Sequence, residues 1–172
     1  HGGRRYPDAV LAAMRNPEYA ALKLEDRYVD RLAEAVADAT GAALLVARAP
    51  RAMIDLNRAP DDIDWGMVER SGGGTLPAAR SPGGRASSGL GLIPRRLPGL
   101  GEIWKQRHVE DDVATRIAAI HVPYHVAVGQ ALSAIRARWG AALLLDLHSM
   151  PSLARRGGVP AAEFVLGDRF GT

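Results

Sequence analysis

The feature that most constrains the fold of this 172-residue chain is an apolar run that ends in polar side chains. Residues 141–145 are all apolar and follow Gly140, which is typical of a buried strand in a parallel sheet. Asp146, His148 and Ser149 come after this run. Because ligands of open α/β sheets bind beyond the carboxyl ends of such strands, the pattern predicts a functional site here.

The alternation of side chains along a strand gives this site its expected geometry. Asp146 and His148 should point to one side and Leu147 to the other. A metal-binding imidazole usually donates its second ring nitrogen to a carboxylate or carbonyl, so an acid beside His148 favours a metal site. A strand-end histidine that is only hydrogen-bonded remains the alternative. Ser149 lacks the G-x-S-x-G turn, which argues against a serine hydrolase.

Helical and extended segments alternate along the chain. Helical periodicity covers residues 7–15, 17–40 and 109–139, with Gly41 as a stop signal and an expected kink near Pro123. Extended segments are expected at residues 42–48, 52–56, 141–145 and 164–166. Such alternation predicts an α/β fold with a mainly parallel sheet covered by helices on both faces.

The composition excludes several classes of protein. The chain has no cysteine, so disulfides, thiolate zinc sites and a cysteine nucleophile are excluded, and any metal must be held by His, Asp or Glu. No apolar run approaches the roughly 18 residues of a membrane span, and no signal-peptide pattern opens the chain, so a cytoplasmic location is expected. We expect one domain over residues 1–172, truncated at both ends, because the chain lacks an initial Met and stops just after an apolar run.

A Gly- and Arg-rich segment at residues 70–98 carries much of the positive charge. It holds five Arg, seven Gly and no acidic residue, against a net charge of +3 for the whole chain. The absence of a helical or strand period predicts a long surface loop or flap. Because the segment has no aromatic residue, it favours a small anionic substrate over nucleic acid. A non-catalytic anion- or nucleic-acid-binding module remains an alternative.

Two pairs of polar residues could form the rest of the site. Asp26 and Asp30 lie four apart on a predicted helix, so both carboxylates would emerge from one face, either as a metal ligand and its support or as solvated acids. Asn57 and Arg58 follow an extended segment, where the arginine could grip a carboxylate through two hydrogen bonds while the amide adds a neutral donor. The alternative for this second pair is a plain ion pair between Asp55 and Arg58.

Two further motifs involve histidine. His1 precedes Gly2 and Gly3, which would let the backbone approach a ligand closely. His121 and His125 have the spacing of the HExxH zinc helix, but the residues between them supply no Glu and include a proline. We therefore favour a role for His125 in orienting a ligand or contacting substrate over zinc binding.

Seven segments together resemble the N-formylglutamate amidohydrolase family, also called N-formylglutamate deformylases. They are, in chain order, HGGRRYP, LEDRYVDRL, ARAPRAMIDLNRAPDD, GLGLIPR, VPYH, LLLDLHSMP and VLGDRFGT. The most specific part is DLNR followed much later by DLHSMP. The resemblance implies a zinc-carboxypeptidase-like fold, a three-layer α/β/α sandwich around a mixed, mainly parallel sheet.

The resemblance also implies an activity. Members hydrolyse the N-formyl amide of N-formyl-L-glutamate, or of a similar acidic N-acyl amino acid, with a divalent metal that is usually zinc. A cytoplasmic enzyme of histidine degradation is the expectation that follows. A zinc hydrolase that cleaves another N-acyl amino acid or a peptide end is the alternative.

Carried onto this chain, the family pattern implies that His1 and His148 are the imidazole ligands of the metal. Aspartoacylase-like proteins have an acid three positions after the first His, where this chain has Arg4. We therefore assign the carboxylate ligand to Asp26, with Asp30 behind it.

The resemblance assigns the remaining site residues as well. Asn57 and Arg58 match the clamp for the substrate carboxylate, and we add Arg95 of GLGLIPR to it. Asp30 and His125 are the candidate catalytic residues. The general base of related metallohydrolases is a late Glu, and Glu163 has no motif that would identify it as this base.

Overall fold

The computed structural model describes residues 2–70, 84–149, 153, 157 and 160–167. His1, residues 71–83 and the rest of the C-terminal region lie outside the described residues, as do the predictions that fall on them. In the described chain three helices come first, four short strands follow, and a helical stretch comes after them; parallel as well as antiparallel strand pairs occur. The α/β class is confirmed, and the three-layer sandwich stays a prediction.

Three helices form the N-terminal part of the chain. They are α1 (Asp8–Ala13), α2 (Pro17–Leu24) and α3 (Val29–Thr40). Pro17 opens α2 at a position where a missing backbone N–H costs no hydrogen bond. The side chain of Asn16 caps the same helix by accepting from the N–H of Tyr19 at 3.1 Å.

The predicted single helix over residues 17–40 is wrong, because the chain turns between α2 and α3. Tyr28, just before α3, has a left-handed φ of 63°, which an α-helix cannot contain. The turn leaves Asp26 outside α3 and Asp30 inside it. Their expected common helix face is therefore absent. The predicted stop at Gly41 is confirmed, since its N–H closes the last turn of α3 and its φ is 71°.

A nearly continuous helical stretch carries the predicted interruption. It comprises α4 (Glu110–Arg116), a π-helical turn (Ile117–His121) and α5 (Val122–Trp139). In the π turn the N–H of Val122 bonds to the carbonyl of Ile117, five residues back. Pro123, which has no N–H, follows at once, so the distortion expected near it is confirmed. None of the helices in the described part of the chain has the length and apolar character of a membrane span.

The assigned strands are two residues long and form two pairs. Strand β1 (Val68–Glu69) pairs in parallel with β4 (His108–Val109), in the register Val68 to His108. Strand β2 (Arg96–Leu97) pairs antiparallel with β3 (Gly101–Glu102).

The segments predicted as longer strands are not strands in the described structure. No strand is assigned at residues 42–48, 52–56, 141–145 or 164–166. Leu143 and Leu145 are 79% and 66% exposed, so the predicted burial of residues 141–145 is wrong for the described structure. An apolar strand is buried when other elements pack on both of its faces, and no described strand pairs with this segment.

Buried apolar side chains join the N-terminal helices to the middle of the chain. The cluster includes Met14, Ala20, Leu24, Ile54, Leu56, Ile63, Met67, Leu92, Ile93, Ile103, Trp104 and Val113. Leu92 and Ile93 are fully buried, so the later part of residues 70–98 is not the surface loop expected from its composition. The reason is backbone pairing, because Leu92 donates to the carbonyl of Asp62 and accepts from the N–H of Asp55, both at 2.7 Å.

A cavity of about 530 Å³ lies between α3 and α5. Apolar side chains of both helices and of residues 42–46 and 143–147 line most of it. Its polar side chains include Asp30, Asn57, Tyr124, His125 and Asp146. The cavity therefore has an apolar body and a polar region that contains several of the predicted site residues.

His108 in β4 gives the fold an acid-sensitive position. Burial, aided by the nearby Arg116 guanidinium, lowers the pKa of His108 to about 4. Between pH 6.5 and 4 the unfolded chain binds a proton that the folded chain does not, so stability falls as the pH drops through this window. From this residue we expect a loss of about 2 kcal/mol in the free energy of unfolding between pH 7 and pH 5.

Urea denaturation at pH 5, 6 and 7 measures this loss, and His108→Gln is the matched variant because glutamine does not titrate. The variant should show a flatter dependence of stability on pH than the parent chain. An equal acid loss in both proteins would place the titrating group elsewhere.

Candidate active site

His148 lies between two carboxylates that come from distant parts of the chain. Its Nδ1 atom is 2.9 Å from Oδ2 of Asp26, in the turn between α2 and α3. Its Nε2 atom is 3.0 Å from Oδ2 of Asp146. The side chain of Asp26 is 2% exposed, whereas that of Asp146 is 54% exposed. The expectation that Asp146 and His148 point to the same side is confirmed.

The two carboxylates change the protonation of the imidazole. Hydrogen bonds to Asp146 and Asp26 raise the pKa of His148 to about 9, although burial opposes the shift. The hydrogen bond from His148 in turn lowers the pKa of Asp146. Without a metal ion the ring is therefore an imidazolium at neutral pH, and each ring nitrogen donates a proton to one carboxylate.

Arg51 connects Asp26 to a second buried carboxylate. Its Nε donates to Oδ2 of Asp55 at 3.1 Å, and its Nη1 lies 3.5 Å from both carboxylate oxygens of Asp26. The side chains of Asp26 and Asp55 are only 2% and 4% exposed. Sequence reasoning missed Arg51, which lies four residues before Asp55 and pairs with it across a turn.

Asn57 lies in a loop whose backbone is fixed by Asp55. Oδ1 of Asp55 accepts from the N–H of Asn57 at 3.0 Å, which forms a tight side-chain-to-backbone turn. The side-chain amide of Asn57 contacts Nε2 of His148 and hydrogen-bonds to Asp146. The structure therefore brings Asn57, His148 and Asp146 together, as their positions in the two most specific motifs suggest.

The guanidinium of Arg58 makes its shortest contact through Nε. Its Nε donates to the carbonyl of Leu90 at 3.0 Å and lies 3.6 Å from Oδ2 of Asp55. Its Nη1 makes a 3.5 Å contact with the carbonyl of Asn57. The ion pair between Asp55 and Arg58 that the sequence left open is thus present but long, and the terminal nitrogens keep donors that could bind a carboxylate.

Asp30 has a different partner from Asp26. Nη2 of Arg4 donates to Oδ2 of Asp30 at 2.6 Å. The other carboxylate oxygen, Oδ1, is buried and has no hydrogen-bond partner among the described residues. Gly2 packs on this side chain, and a Cβ on Gly2 would lie 2.9 Å from the Cβ of Asp30, so the close approach requires glycine. Arg4 therefore compensates the charge of Asp30.

His121 and His125 project from the helical stretch toward the same loop. Nε2 of His121 is 2.9 Å from the carbonyl oxygen of Arg58. Nε2 of His125 is 3.0 Å from the carbonyl oxygen of Leu56. The structure therefore places both rings against the backbone of the Asn57 loop.

Arg95 is the predicted substrate-binding residue whose described contacts lie away from this cluster. Its Nη1 donates to Asp64 at 2.9 Å, and its Nε donates to Glu102 at 3.0 Å. Burial lowers the pKa of Arg95, but its hydrogen bonds to the two carboxylates outweigh burial and raise that pKa above its ordinary value. These contacts fix the guanidinium as a bridge between Asp64 and Glu102.

Comparison with known proteins leads to the same family as the motifs. A sequence model described as N-formylglutamate amidohydrolase matches residues 1–172. The chain belongs to the N-formylglutamate amidohydrolase family. It is 30% identical over 155 residues to the N-formylglutamate deformylase of Pseudomonas aeruginosa, a match that covers 88% of this chain and 50% of that protein.

A solved structure shares the fold of this amidohydrolase-family chain. The crystal structure of N-formylglutamate amidohydrolase from Ralstonia eutropha JMP134 matches with a TM-score of 0.74 and 35% sequence identity. The match covers 88% of this chain and 52% of that one. The chain thus spans about half the length of the relatives it matches.

Two donors of the types that bind divalent metals lie next to each other in this amidohydrolase-family chain. Nδ1 of His148 and Oδ2 of Asp26 are 2.9 Å apart, and imidazole nitrogen and carboxylate oxygen are both zinc ligands. Asp146, on the other ring nitrogen, is the kind of carboxylate that orients a metal-bound imidazole. In the part of the chain that the structure describes, no group of three or more His, Cys, Asp or Glu converges to hold an ion, and His1 lies outside that part. The donor types fit a divalent ion that takes a further ligand.

Proposed function

We propose that this chain acts in the metal-dependent hydrolysis of N-formyl-L-glutamate, or of a similar acidic N-acyl amino acid, to formate and the amino acid. The observation that carries the proposal is the cluster in which His148 joins Asp26 to Asp146 and contacts Asn57. The two relatives are named for their action on N-formylglutamate, which suggests the substrate. Because the chain spans about half the length of each relative, its activity and its substrate are both proposals.

Asp26, His148 and His1 would hold the ion. Zinc is the ion we expect, since the imidazole nitrogen and carboxylate oxygen donors suit it. When bound, zinc would polarise the formyl carbonyl and activate water near neutral pH. Asp146 would fix the His148 ring by accepting from Nε2, and Arg51 would hold the buried carboxylate of Asp26 in place.

Asn57 and Arg58 would bind the substrate carboxylate. The terminal guanidinium nitrogens of Arg58 offer two parallel donors, and the Asn57 amide offers a neutral donor beside His148. A cationic clamp next to the reacting centre favours an acidic amino acid. Two described arginines of the basic segment, Arg95 and Arg96, are paired with Glu102, which reduces the positive charge that they offer to a nucleic acid.

Asp30 is our candidate for proton transfer. Its Oδ1 atom is buried without a hydrogen-bond partner among the described residues, and the residue lines the cavity together with Asn57 and Asp146. Arg4 holds the other oxygen, so the carboxylate is fixed while one oxygen keeps its capacity to accept a proton.

Formate release from N-formyl-L-glutamate, measured together with metal content, tests the proposal. We expect bound zinc and turnover that stops when the zinc is removed by a chelator. N-acetyl-L-glutamate and N-formylglycine, assayed in parallel, separate the preferred acyl group from the preferred amino acid. A protein that binds no divalent metal and releases no formate would contradict the proposal.

Replacing Arg58 with alanine should raise KM for N-formyl-L-glutamate about 10- to 100-fold with little change in kcat. The reason is that a clamp on a non-reacting carboxylate binds the ground state and the transition state equally. Arg95→Ala is the matched control, because its guanidinium bridges Asp64 and Glu102. The control should keep KM within about twofold of the parent value. An unchanged KM in Arg58→Ala would show that the clamp lies elsewhere.

A further inference from the structure

We propose that His121 and His125 are positioning residues that hold the backbone on both sides of Asn57. Nε2 of His125 contacts the carbonyl of Leu56 at 3.0 Å, and Nε2 of His121 contacts the carbonyl of Arg58 at 2.9 Å. Leu56 and Arg58 are the residues immediately before and after Asn57, which touches His148. This role rests on the proposed function, since Asn57 and Arg58 act on a substrate only there.

The carbonyl groups fix the protonation of both rings. A carbonyl oxygen can only accept, so Nε2 of His121 and Nε2 of His125 must each carry a proton and donate it. In the neutral form of each ring, Nδ1 is then the bare nitrogen. Neither Nε2 atom can bind a metal while it donates, so the pair does not work as an HExxH-like zinc site through these atoms. His125, expected to be catalytic, instead acts through the loop.

Ring contacts limit the movement of the two imidazoles. The centroids of His121 and His125 are 4.3 Å apart with the rings tilted by 40°. The ring of Tyr124 meets His125 edge-on at a centroid distance of 5.2 Å. Side chains packed in this way lose rotamer freedom, so their hydrogen bonds can define a position rather than follow a mobile loop.

The π-helical turn aligns the pair with a third donor. Arg116, at the end of α4, donates from Nη1 to the carbonyl of Met53 at 3.1 Å. Arg116 and His121 are five residues apart, a spacing that puts side chains on different faces of an α-helix. The wider π turn brings them to one face. Arg116, His121 and His125 therefore all donate to backbone carbonyls within residues 53–58.

Substitution by glutamine and asparagine separates this role from simple packing. Glutamine can place an amide N–H near the position of Nε2, whereas the shorter asparagine reaches only to the position of Nδ1. The pair His121→Asn and His125→Asn should therefore lose the two hydrogen bonds. The pair His121→Gln and His125→Gln should keep them.

NMR of the full chain gives a readout that does not depend on activity. Ring ¹H–¹⁵N spectra should show the Nε2–H tautomer at both histidines. Hydrogen exchange at the amides of Asn57 and Arg58 should be about tenfold faster or more in the Asn variants and within about threefold of the parent in the Gln variants. Rings protonated at Nδ1 alone, or equal exchange in the two sets of variants, would overturn the proposal.

Calorimetry with N-formyl-L-glutamate measures whether the two histidines affect substrate binding by Asn57 and Arg58. The Asn variants should bind about 10-fold more weakly or worse, and the Gln variants should stay within about threefold of the parent, because a displaced Asn57 and Arg58 no longer match the carboxylate. Equal affinity in both sets would overturn the positioning role. If the parent chain itself binds no N-formyl-L-glutamate, the proposed function fails. The tautomers and exchange rates then decide alone whether His121 and His125 hold the backbone around Asn57.

Discussion

Replacing His148 with alanine is expected to weaken zinc binding at least 100-fold. The variant removes a nitrogen donor that sits 2.9 Å from the Asp26 carboxylate, and it removes the group that Asp146 orients. Asp146→Asn is the graded control, because it keeps the imidazole and weakens only its support. Residues that orient a metal ligand typically contribute 10- to 100-fold to affinity, so this control should fall in that range.

The affinity for zinc should also rise with pH in a defined window. With a His148 pKa of about 9 in the metal-free chain, zinc must displace a proton at every pH below that value. The apparent affinity should therefore increase about tenfold per pH unit from pH 6 to 8. The stability of the metal-free fold changes with pH in the opposite direction. The raised pKa of His148 stabilises the fold fully below pH 6.5, and this contribution is lost as the pH rises toward 9.

Calorimetry in buffers of different ionisation enthalpy measures both the affinity and the number of protons released. Circular dichroism of each variant checks that the chain still folds. An affinity that does not change with pH, or a His148→Ala variant that binds zinc like the parent, would place the metal at other residues.

The motif that follows residues 141–145 correctly predicted the short-range contact between Asp146 and His148. The prediction that Asp146 and His148 point to one side is confirmed, since their side chains meet at 3.0 Å, although residues 141–145 form no strand in the described structure. The contact between His148 and Asp26 spans 122 positions. Neither periodicity nor spacing encodes such a contact, and only the family resemblance suggested that the two residues share a site.

The errors in the predicted fold have a common physical origin. An apolar run shows that a segment favours burial, but it does not show which partner provides the burial. The apolar run at residues 141–145 therefore predicted a buried strand, although no described strand pairs with this segment. Conversely, Leu92 lies in a Gly- and Arg-rich segment and is fully buried, because it pairs with the backbone of Asp55 and Asp62.

Side chains that act between two distant segments were also missed. Arg51 has no motif of its own, and its importance comes from bridging Asp55, nearby in sequence, and Asp26, which is 25 positions away. The turn at Tyr28 that brings Asp26 inward adopts a conformation rare for tyrosine, and helix periodicity gives no sign of it. Both features become visible only when the chain is folded.

Replacing Arg51 with methionine is expected to lower the free energy of unfolding of the metal-free chain by about 3 to 4 kcal/mol. Methionine keeps much of the apolar stem but removes the cation between Asp26 and Asp55, whose side chains are 2% and 4% exposed. Asp26 keeps its contact with His148, and Asp55 keeps its contact with Arg58. Both buried carboxylates nevertheless lose a cation that water cannot replace, which makes the loss large. Urea denaturation at pH 7 measures it.

Arg96→Met is the matched control for this prediction. Arg96 also pairs with a carboxylate, Glu102, at 2.8 Å, but the two side chains are 55% and 39% exposed. Solvent screens such a pair, so the control should lose less than about 1 kcal/mol. Equal losses in the two variants would mean that burial of the Asp26 and Asp55 carboxylates does not matter to the fold.

The Arg51→Met variant also tests whether Asp26 is a metal ligand. If Asp26 binds zinc, the ion supplies positive charge beside the carboxylate and partly replaces the guanidinium of Arg51. The destabilisation caused by Arg51→Met should then be smaller in the presence of saturating zinc than in its absence. His148→Ala combined with Arg51→Met should lose this rescue, because the second ligand is gone. A cost that zinc leaves unchanged would separate Asp26 from the metal and confine its role to holding His148.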